Sequence, residues 1–515
     1  MTCAARRSTA QLLGLLLVAS ATAAQATPNV PLENPVYLQL EQLRAQGKLP
    51  AYLGGSSPLT EAEIERLLVA AGAPPDPRFL PPDVSDPWIR PATLLTLRGS
   101  LVDEHPRSYS TEIRPRNIAG FVALSCEHQE GRPCGPGAGV GVEVDSSAGY
   151  GGWVSAFTRI RVDAGNHAYE PGVDLDRAYV NFELGPVAME AGRDVQVLGP
   201  AVRSALMLSD HAAPLDHVRI STARPLDLLG DRGSILRLSL RYFIARLRDP
   251  QRFHGTLLTG ARAQLVLFDQ LELGGTRFLQ LGGDGAPSFT LGQFVLEHFV
   301  RQTGPDGAGI SNNRLSFDIS YVFGPLRGAR AYYELAFEDT RHQFLNTLEF
   351  QTDHLLGLEV LNLDGAGHHG LLLEFHRTGS DSQEHSPFTT GMTNANRTLG
   401  SPLGPDAWSL YAAVRIDGRA FSVTPWAELV RMSSDVYGVR SEDGPVERFS
   451  TGVTEHRFRA GLEAALGLTK GVSLRVGAFG ERVGNSDFVT GATRLNGGLL
   501  AALTWSPADH TYMSK

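Results

Sequence analysis

The residues best suited to chemistry in this chain are few, and each has a plain alternative. Cys126 and Cys134 lie eight positions apart in Ser-Cys-Glu-His-Gln-Glu-Gly-Arg-Pro-Cys-Gly-Pro-Gly. In an oxidising compartment that spacing favours a disulfide closing a small loop over free thiols or a metal site. A metal held by Cys126, His128 and Cys134 would lack a convincing fourth ligand and the usual Cys-x-x-Cys pairing. His368 and His369 are adjacent, and neighbours on a strand point to opposite faces, so no shared metal is expected there. Asp174 and Asp176 share a face and have calcium chemistry, although solvated loop carboxylates are the commoner meaning of such a pair. Gly-x-Ser-x-Gly, His-Glu-x-x-His and a phosphate-cradling Gly-Lys-Ser/Thr are all missing. The expectation is therefore a chain that is not an enzyme and needs no cofactor or metal.

More charges matter by position than by motif. Arg177, Glu183, Arg193, Arg237, Arg241, Asp318, Glu334, Arg457, Arg459 and Glu463 fall on polar faces of alternating segments. They would all point to one side of a sheet, either lining a selective polar passage or neutralising one another in a plugged one.

What positions them is a period of two, repeated from Trp88 to Trp505. Leu236, Leu238, Leu240, Tyr242 and Ile244 share one face, with Arg237, Ser239 and Arg241 on the other. Leu315, Phe317, Ile319, Tyr321 and Phe323 alternate with Arg314, Ser316, Asp318 and Ser320, and Trp408, Leu410, Ala412, Val414 and Ile416 run into a tight Asp417-Gly418 turn. Such segments are strands with one apolar and one polar face. Segments of about ten residues, short turns alternating with long polar loops, and aromatics near strand ends predict a transmembrane barrel. About eighteen strands are expected, enclosing a wide polar lumen. The long loops, at 107–116, 127–139, 303–313, 378–406 and 433–450, would be extracellular, and turns such as Gly185-Pro186 and Gly324-Pro325 periplasmic.

The chain ahead of the strands is different. Arg6 and Arg7, an apolar run from Leu12 to Ala19, and small-residue sites at Ala21-Thr22-Ala23 and Ala24-Gln25-Ala26 predict a secretory signal peptide over 1–26. Its loss moves the formal charge from −9 to −11, because it takes two arginines and no acids. No later run reaches the roughly 18 apolar residues of a spanning helix, and no basic face suggests nucleic acid. Two amphipathic stretches, 36–47 and 61–72, predict a small helical cap. Thr60 and Glu63 sit at capping-box spacing, with Leu59 placed to staple the second helix. Residues 27–87, ending in a proline-rich linker, thus precede a barrel over 88–505 and a tail over 506–515.

One stretch carries a family resemblance. Val187-Ala-Met-Glu-Ala-Gly-Arg-Asp leads into Val-Gln-Val-Leu-Gly-Pro200, then Ser204-Ala-Leu-Met-Leu-Ser209-Asp-His211 and Pro214. It resembles the signature of the Wzi-type capsule assembly family, with Gly192, Arg193, Gly199, Pro200, Ser204, Leu206, Leu208, Ser209 and Pro214 at the matching places. The order of the paired helices, the Leu315-Ser-Phe-Asp-Ile-Ser-Tyr strand and Leu356-Gly-Leu-Glu-Val-Leu-Asn is similar too. Where the family carries a tryptophan pair before Gly-Pro, this chain has Val197 and Leu198. The resemblance implies a monomeric, lectin-like outer-membrane protein of a Gram-negative bacterium that attaches capsular or exported polysaccharide to the surface among outer-membrane lipid. Arg193, Asp210 and His211 are the first polysaccharide-binding candidates, with turn pinning the rival role. The alternative reading is an outer-membrane channel for small solutes or oligosaccharides.

Overall fold

The computed structural model of the chain describes residues 25–507 apart from 50–51, 77, 80–85, 104–129, 133–135, 166–171, 230–235, 301, 304–308, 339–343, 384–387, 396, 441–443 and 470. The Cys126–Cys134 pairing, the loop expected at 107–116 and nearly all of the expected leader lie outside those residues.

Eighteen antiparallel strands form one closed barrel, from Trp88–Val102 to Thr493–Trp505. Each pairs with its neighbours in sequence, and the first meets the last from Leu95 opposite Trp505 to Val102 opposite Gly498. Closure leaves no row of unpaired backbone groups at an edge, which lipid would not tolerate. The alternation foreseen along the strands is observed. Leu240, Ile244, Phe317, Ile319, Leu410, Val414, Leu499 and Leu503 are exposed on the outside, while Phe243, Ser316, Asp318 and Tyr411 are buried on the inside. An exposed apolar band of that extent is a liability in water and a requirement in a bilayer.

Short turns gather at one end of the barrel, for instance between Leu184 and Val187 and between Leu267 and Leu271. Connections of about twenty residues or more gather at the other, between Asp194 and Leu215, Leu281 and Ser311, Arg377 and Ala407, and Ser433 and Thr454.

The N-terminal segment closes the short-turn end. Its helices, Val36–Ala45 and Glu61–Ala70, share a core of Leu40, Ile64, Leu67 and Leu68 with Tyr52 and Phe79. The Thr60 side chain accepts from the Glu63 amide at 3.3 Å, and Leu59 packs against that core. The Ala26 amide donates to the Gly152 carbonyl at 2.7 Å, and the Gln42 side chain donates to the Gly367 carbonyl at 3.2 Å. Gly328, in another turn at the same end, lies so close that a Cβ there would strike the backbone of Ala45. These contacts spread round the rim.

Candidate functional site

An eighteen-stranded barrel is wide enough for an aqueous passage, so what occupies its lumen decides what it can do. Among the described residues, three long stretches of the chain enter it, joined by the buried turn at 130–132.

The first is the N-terminal segment. Asn29 reaches the wall with both its backbone and its side chain: its amide donates to the Tyr179 hydroxyl at 2.9 Å, and Nδ2 donates to Glu190 and Asp194 at 2.6 and 2.7 Å. Glu33 accepts from Arg98 at 2.8 Å, pairs with Arg132, and lies 3.7 Å from Arg475. Burial pushes the Glu33 carboxyl up, but Arg132, Arg98 and Arg475 outweigh it and hold it well below the usual carboxylate range. Glu130, returning from the first long connection, accepts from the Leu32 amide at 2.9 Å and from Arg159 at 2.6 Å. Burial raises this carboxyl as well, and Arg159, Arg132 and Arg177 together bring it below its ordinary value. Further along, Glu272 accepts from the Gly55 amide at 3.1 Å, and Glu61 accepts from Arg90 at 2.8 Å.

The second part is the signature stretch between Asp194 and Leu215, which folds into the lumen instead of over its mouth. Val197–Leu198 pairs with Ser56–Ser57 of the N-terminal segment, so two inserted pieces are stitched together. Gly199 has φ of +142°, and a Cβ there would lie 2.6 Å from Ala205 Cβ and 2.9 Å from Glu334 Oε2. Only glycine suits such a position. Beyond Pro200, whose carbonyl accepts from Arg330 at 3.0 Å, the Leu206 amide donates to Glu334 at 3.0 Å. Arg203 stacks 4.0 Å over the Tyr411 ring and pairs with Glu428 at 3.0 Å. Leu198, Leu206, Met207 and Leu208 form an apolar core with wall residues Phe243, Phe278 and Tyr332.

The third part is the connection between Arg377 and Ala407, which packs on the second. Its Met392 and Leu399 join the same core, the Asn394 side chain donates to the carbonyls of Ala213 and Pro214 at 3.0 and 3.1 Å, and Ser209 donates to the Gly400 carbonyl at 3.0 Å. The crevice left beside Arg203, Tyr411 and Glu428 holds only about 10 Å³.

The sequence candidates fare differently. Most of the charges assigned to the inner face do face inward and are paired: Asp318 accepts from Arg262 at 2.7 Å, Arg457 donates to Glu481 at 3.0 Å, and Arg459 donates to Glu428 at 2.7 Å. Arg193 does not. It stands opposite Ala178 and Asp216, on the outward face with Val187, Met189 and Ala191, while Glu190 and Asp194 point in. The register slip at Asp176, between Arg159 and Ile160 on the neighbouring pair of strands, does not reach it, and its own strand alternates without a break. Arg193 forms a two-pronged ion pair with Asp216 and donates to the Leu175 carbonyl. His211 is buried, its amide donating to Ser209 Oγ at 3.3 Å, and the Asp210 carbonyl accepts from the Gly131 amide at 3.1 Å. Arg193 is thus on the outer wall, whereas Asp210 and His211 belong to the inserted core. Gly192 lies against Ala178 and Tyr179, where a Cβ would collide, and Ser204 and Pro214 are buried.

Asp174 and Asp176 hold a guanidinium, that of Arg161, which also binds Asp163. His368 and His369 do not diverge as strand neighbours would. The strand opens only at His369, and the turn before it lets both rings approach Asp364, at 3.2 and 3.4 Å.

At the long-connection end, one feature escaped the sequence reading. Val436–Val439 pairs with Val446–Ser450 as a hairpin standing on the rim. The Asn346 side chain holds it from the neighbouring helix Phe344–Phe350, accepting from the Val446 amide at 2.8 Å and donating to its carbonyl at 3.0 Å. Asp435 anchors the base, accepting from the Gly452 amide at 2.8 Å and from Arg448 at 3.2 Å. The hairpin presents Phe449, 51% exposed over Gly438, and the side chains of Arg448 and Arg440, 54% and 77% exposed. Arg440 pairs with Glu447 at 2.7 Å, yet both guanidinium groups keep exposed N–H groups near an exposed apolar ring, a combination that suits the face of a sugar and its carboxylate.

A closed barrel with an apolar exterior and an ion-paired, chain-filled interior defines an outer-membrane β-barrel protein. The chain belongs to the family of the capsule assembly protein Wzi, whose model matches residues 122–496. Among solved structures it is similar to Wzi of Escherichia coli, an outer-membrane protein involved in group 1 capsule assembly and described as a carbohydrate-binding β-barrel. The two are 16% identical over 94% of this chain and 100% of that one, with a TM-score of 0.66. OccD3 (OpdP) of Pseudomonas aeruginosa aligns over 81% of this chain and 90% of its own at 14% identity, with a TM-score of only 0.43. No curated protein matches the sequence.

Proposed function

We propose that this chain holds an acidic capsular or exported polysaccharide at the cell surface, binding it without a covalent step, with the long connections outside and the helical segment in the periplasm. The observation that carries this reading is the occupied lumen. With three long stretches of the described chain bonded across it, the working surface left is the mouth, where the hairpin of 436–439 and 446–450 offers Phe449 together with the exposed guanidinium groups of Arg440 and Arg448. Arginine forks bind carboxylates in two-point geometry, and an aromatic face packs against the C–H face of a sugar ring. Family membership supports the same reading.

The experiment compares a deletion strain with its parent, scoring polysaccharide on cells against polysaccharide shed into the medium. The deletion is expected to move polysaccharide from cells to medium. Phe449→Ala combined with Arg440→Ala and Arg448→Ala is expected to do so at normal barrel abundance. Unchanged retention in the deletion strain would sink the function; unchanged retention in the triple variant alone would sink the hairpin's part in it.

A further inference from the structure

Outside the lumen, two stretches of wall depart from the smooth apolar band, one a hollow of about 530 Å³ around the Arg193–Asp216 ion pair and the other a more apolar one near it. In the second, outward-facing side chains can be followed across four strands at two neighbouring levels. At the lower, Leu240 stands opposite Ala263, Ala263 opposite Gly275, and Gly275 opposite Phe317. At the upper, Tyr242 stands opposite Ala261, Ala261 opposite Arg277, and Arg277 opposite Leu315. Small residues thus make a floor between large ones, and the result is a groove of about 520 Å³ running down to Pro186 and Val187. That lies within the range of roughly 300–1,000 Å³ typical of small-molecule sites.

The groove has a roof at its upper end. The connection between Leu281 and Ser311 turns back over the outer wall and carries the helix Leu291–Glu297, begun by a complete capping box of Thr290 and Gln293. Arg277 donates to the carbonyl of Glu297 at 3.0 Å, and His298 lies 3.1 Å from the Tyr242 hydroxyl and 3.3 Å from Thr259 Oγ1. Thr259 and Leu279 face outward yet are only 1% exposed, which shows that this stretch of wall is covered. The helix in turn exposes Leu291, Val295, Leu296, Phe299 and Val300, beside an equally apolar wall. Buried polar contacts toward the barrel and exposed apolar side chains away from it are the arrangement of a segment lying in a membrane interface.

We propose that this groove is a lipid site, taking one acyl chain of a membrane lipid lengthwise against Ala261, Ala263 and Gly275, with the 291–300 segment fixing its upper end. The occupant follows from place and lining. The groove opens on the lipid-facing side of a closed barrel, is continuous with the exposed apolar band through Ile220 and Leu315, and offers mainly apolar surface. Drawing methylenes out of water favours such a site, but acyl chains on the rest of the wall are equally dry. What distinguishes the groove is therefore shape: a concave floor holds one chain in close contact where a convex wall lets it exchange.

The test uses the full-length protein reconstituted into vesicles of phosphatidylethanolamine and phosphatidylglycerol, extracted into mild detergent and weighed intact by native mass spectrometry. The unaltered protein is expected to retain a diacyl lipid. Ala263→Phe with Gly275→Phe fills the floor from below and is expected to lose that lipid; a Cβ at Gly275 meets nothing nearer than 3.8 Å, so the barrel has room for the change. Ala261→Leu, a smaller filling one level up, should lower retention several-fold. Ile319→Phe, on the outward face away from the groove, should leave it unchanged. Heat-shifted gel mobility reports closure of each barrel. A native protein without retained lipid, or filled variants that are closed and keep it, would overturn the proposal.

Discussion

Several carboxylates inside this barrel are shared among donors: Glu33 by Arg98, Arg132 and Arg475, Glu190 by Asn29, His217 and Arg219, Glu428 by Arg203 and Arg459. Buried ion pairs rarely add much net stability, but removing one member leaves its partners uncompensated. Glu33→Gln is therefore expected to lower the unfolding free energy by about 1–3 kcal/mol, read from denaturant melts of the detergent-solubilised protein. The pH dependence has a definite sign. The folded carboxyl titrates below its unfolded value of roughly 4.3, so its contribution is complete above that value and is lost as pH falls through the folded one. Melting points taken down through that acid range should fall more steeply for the native protein than for Glu33→Gln; parallel curves would contradict the assignment. Asn29→Ala removes the donor shared by Glu190 and Asp194 and is expected to loosen the N-terminal segment, which limited proteolysis would show. At this scale the sequence was half readable. That Asp318, Arg457 and Arg459 face inward followed from alternation, because lipid forbids the opposite phase. Their partners did not follow, since pairing depends on which strands closure makes neighbours. Arg193 was misplaced by its charge: alternation within its own strand, with Val187, Met189 and Ala191 on one face and Glu190 and Asp194 on the other, puts it outside, where Asp216 pairs with it.

Among the elements, the strands were readable and the inserted connections were not. A strand in a bilayer must alternate, so 311–323 and 407–417 declare their faces, whereas a connection folded into a lumen answers only to the particular wall it meets. The resemblance around 187–214 marked the right segment, and its glycines show why that pattern is demanding. Gly199→Val is expected to cost at least about 2 kcal/mol from positive φ and collision with Glu334 and Ala205, with a lower yield of heat-modifiable barrel as the readout. The hairpin at 436–450 left only a polar, glycine-containing stretch in the sequence; nothing in its spacing announced that Asn346, some hundred residues away, would hold it upright. Asn346→Ala should leave the barrel closed and reduce polysaccharide retention toward that of the hairpin variant.

For the molecule as a whole, the expected architecture and the observed one agree in eighteen strands and an end closed by helices. The channel alternative makes a contrary demand, a continuous path past segments that are hydrogen-bonded to one another and to the wall. In planar bilayers the full protein is expected to conduct poorly, while removal of residues 28–79 should raise the conductance, with the two other stretches still in place; porin-like conductance of the intact protein would restore the channel reading. The N-terminal insert has one more consequence, and it concerns time. Arg475 donates to the carbonyl of Glu33, 442 positions away, and the Arg98 that grips the same residue sits on the strand that seals against the last one. The piece that leaves the ribosome early is thus fastened by pieces that arrive late. The bond from Arg475 cannot form until that strand has arrived, so the final seating of the chain's beginning waits for its end.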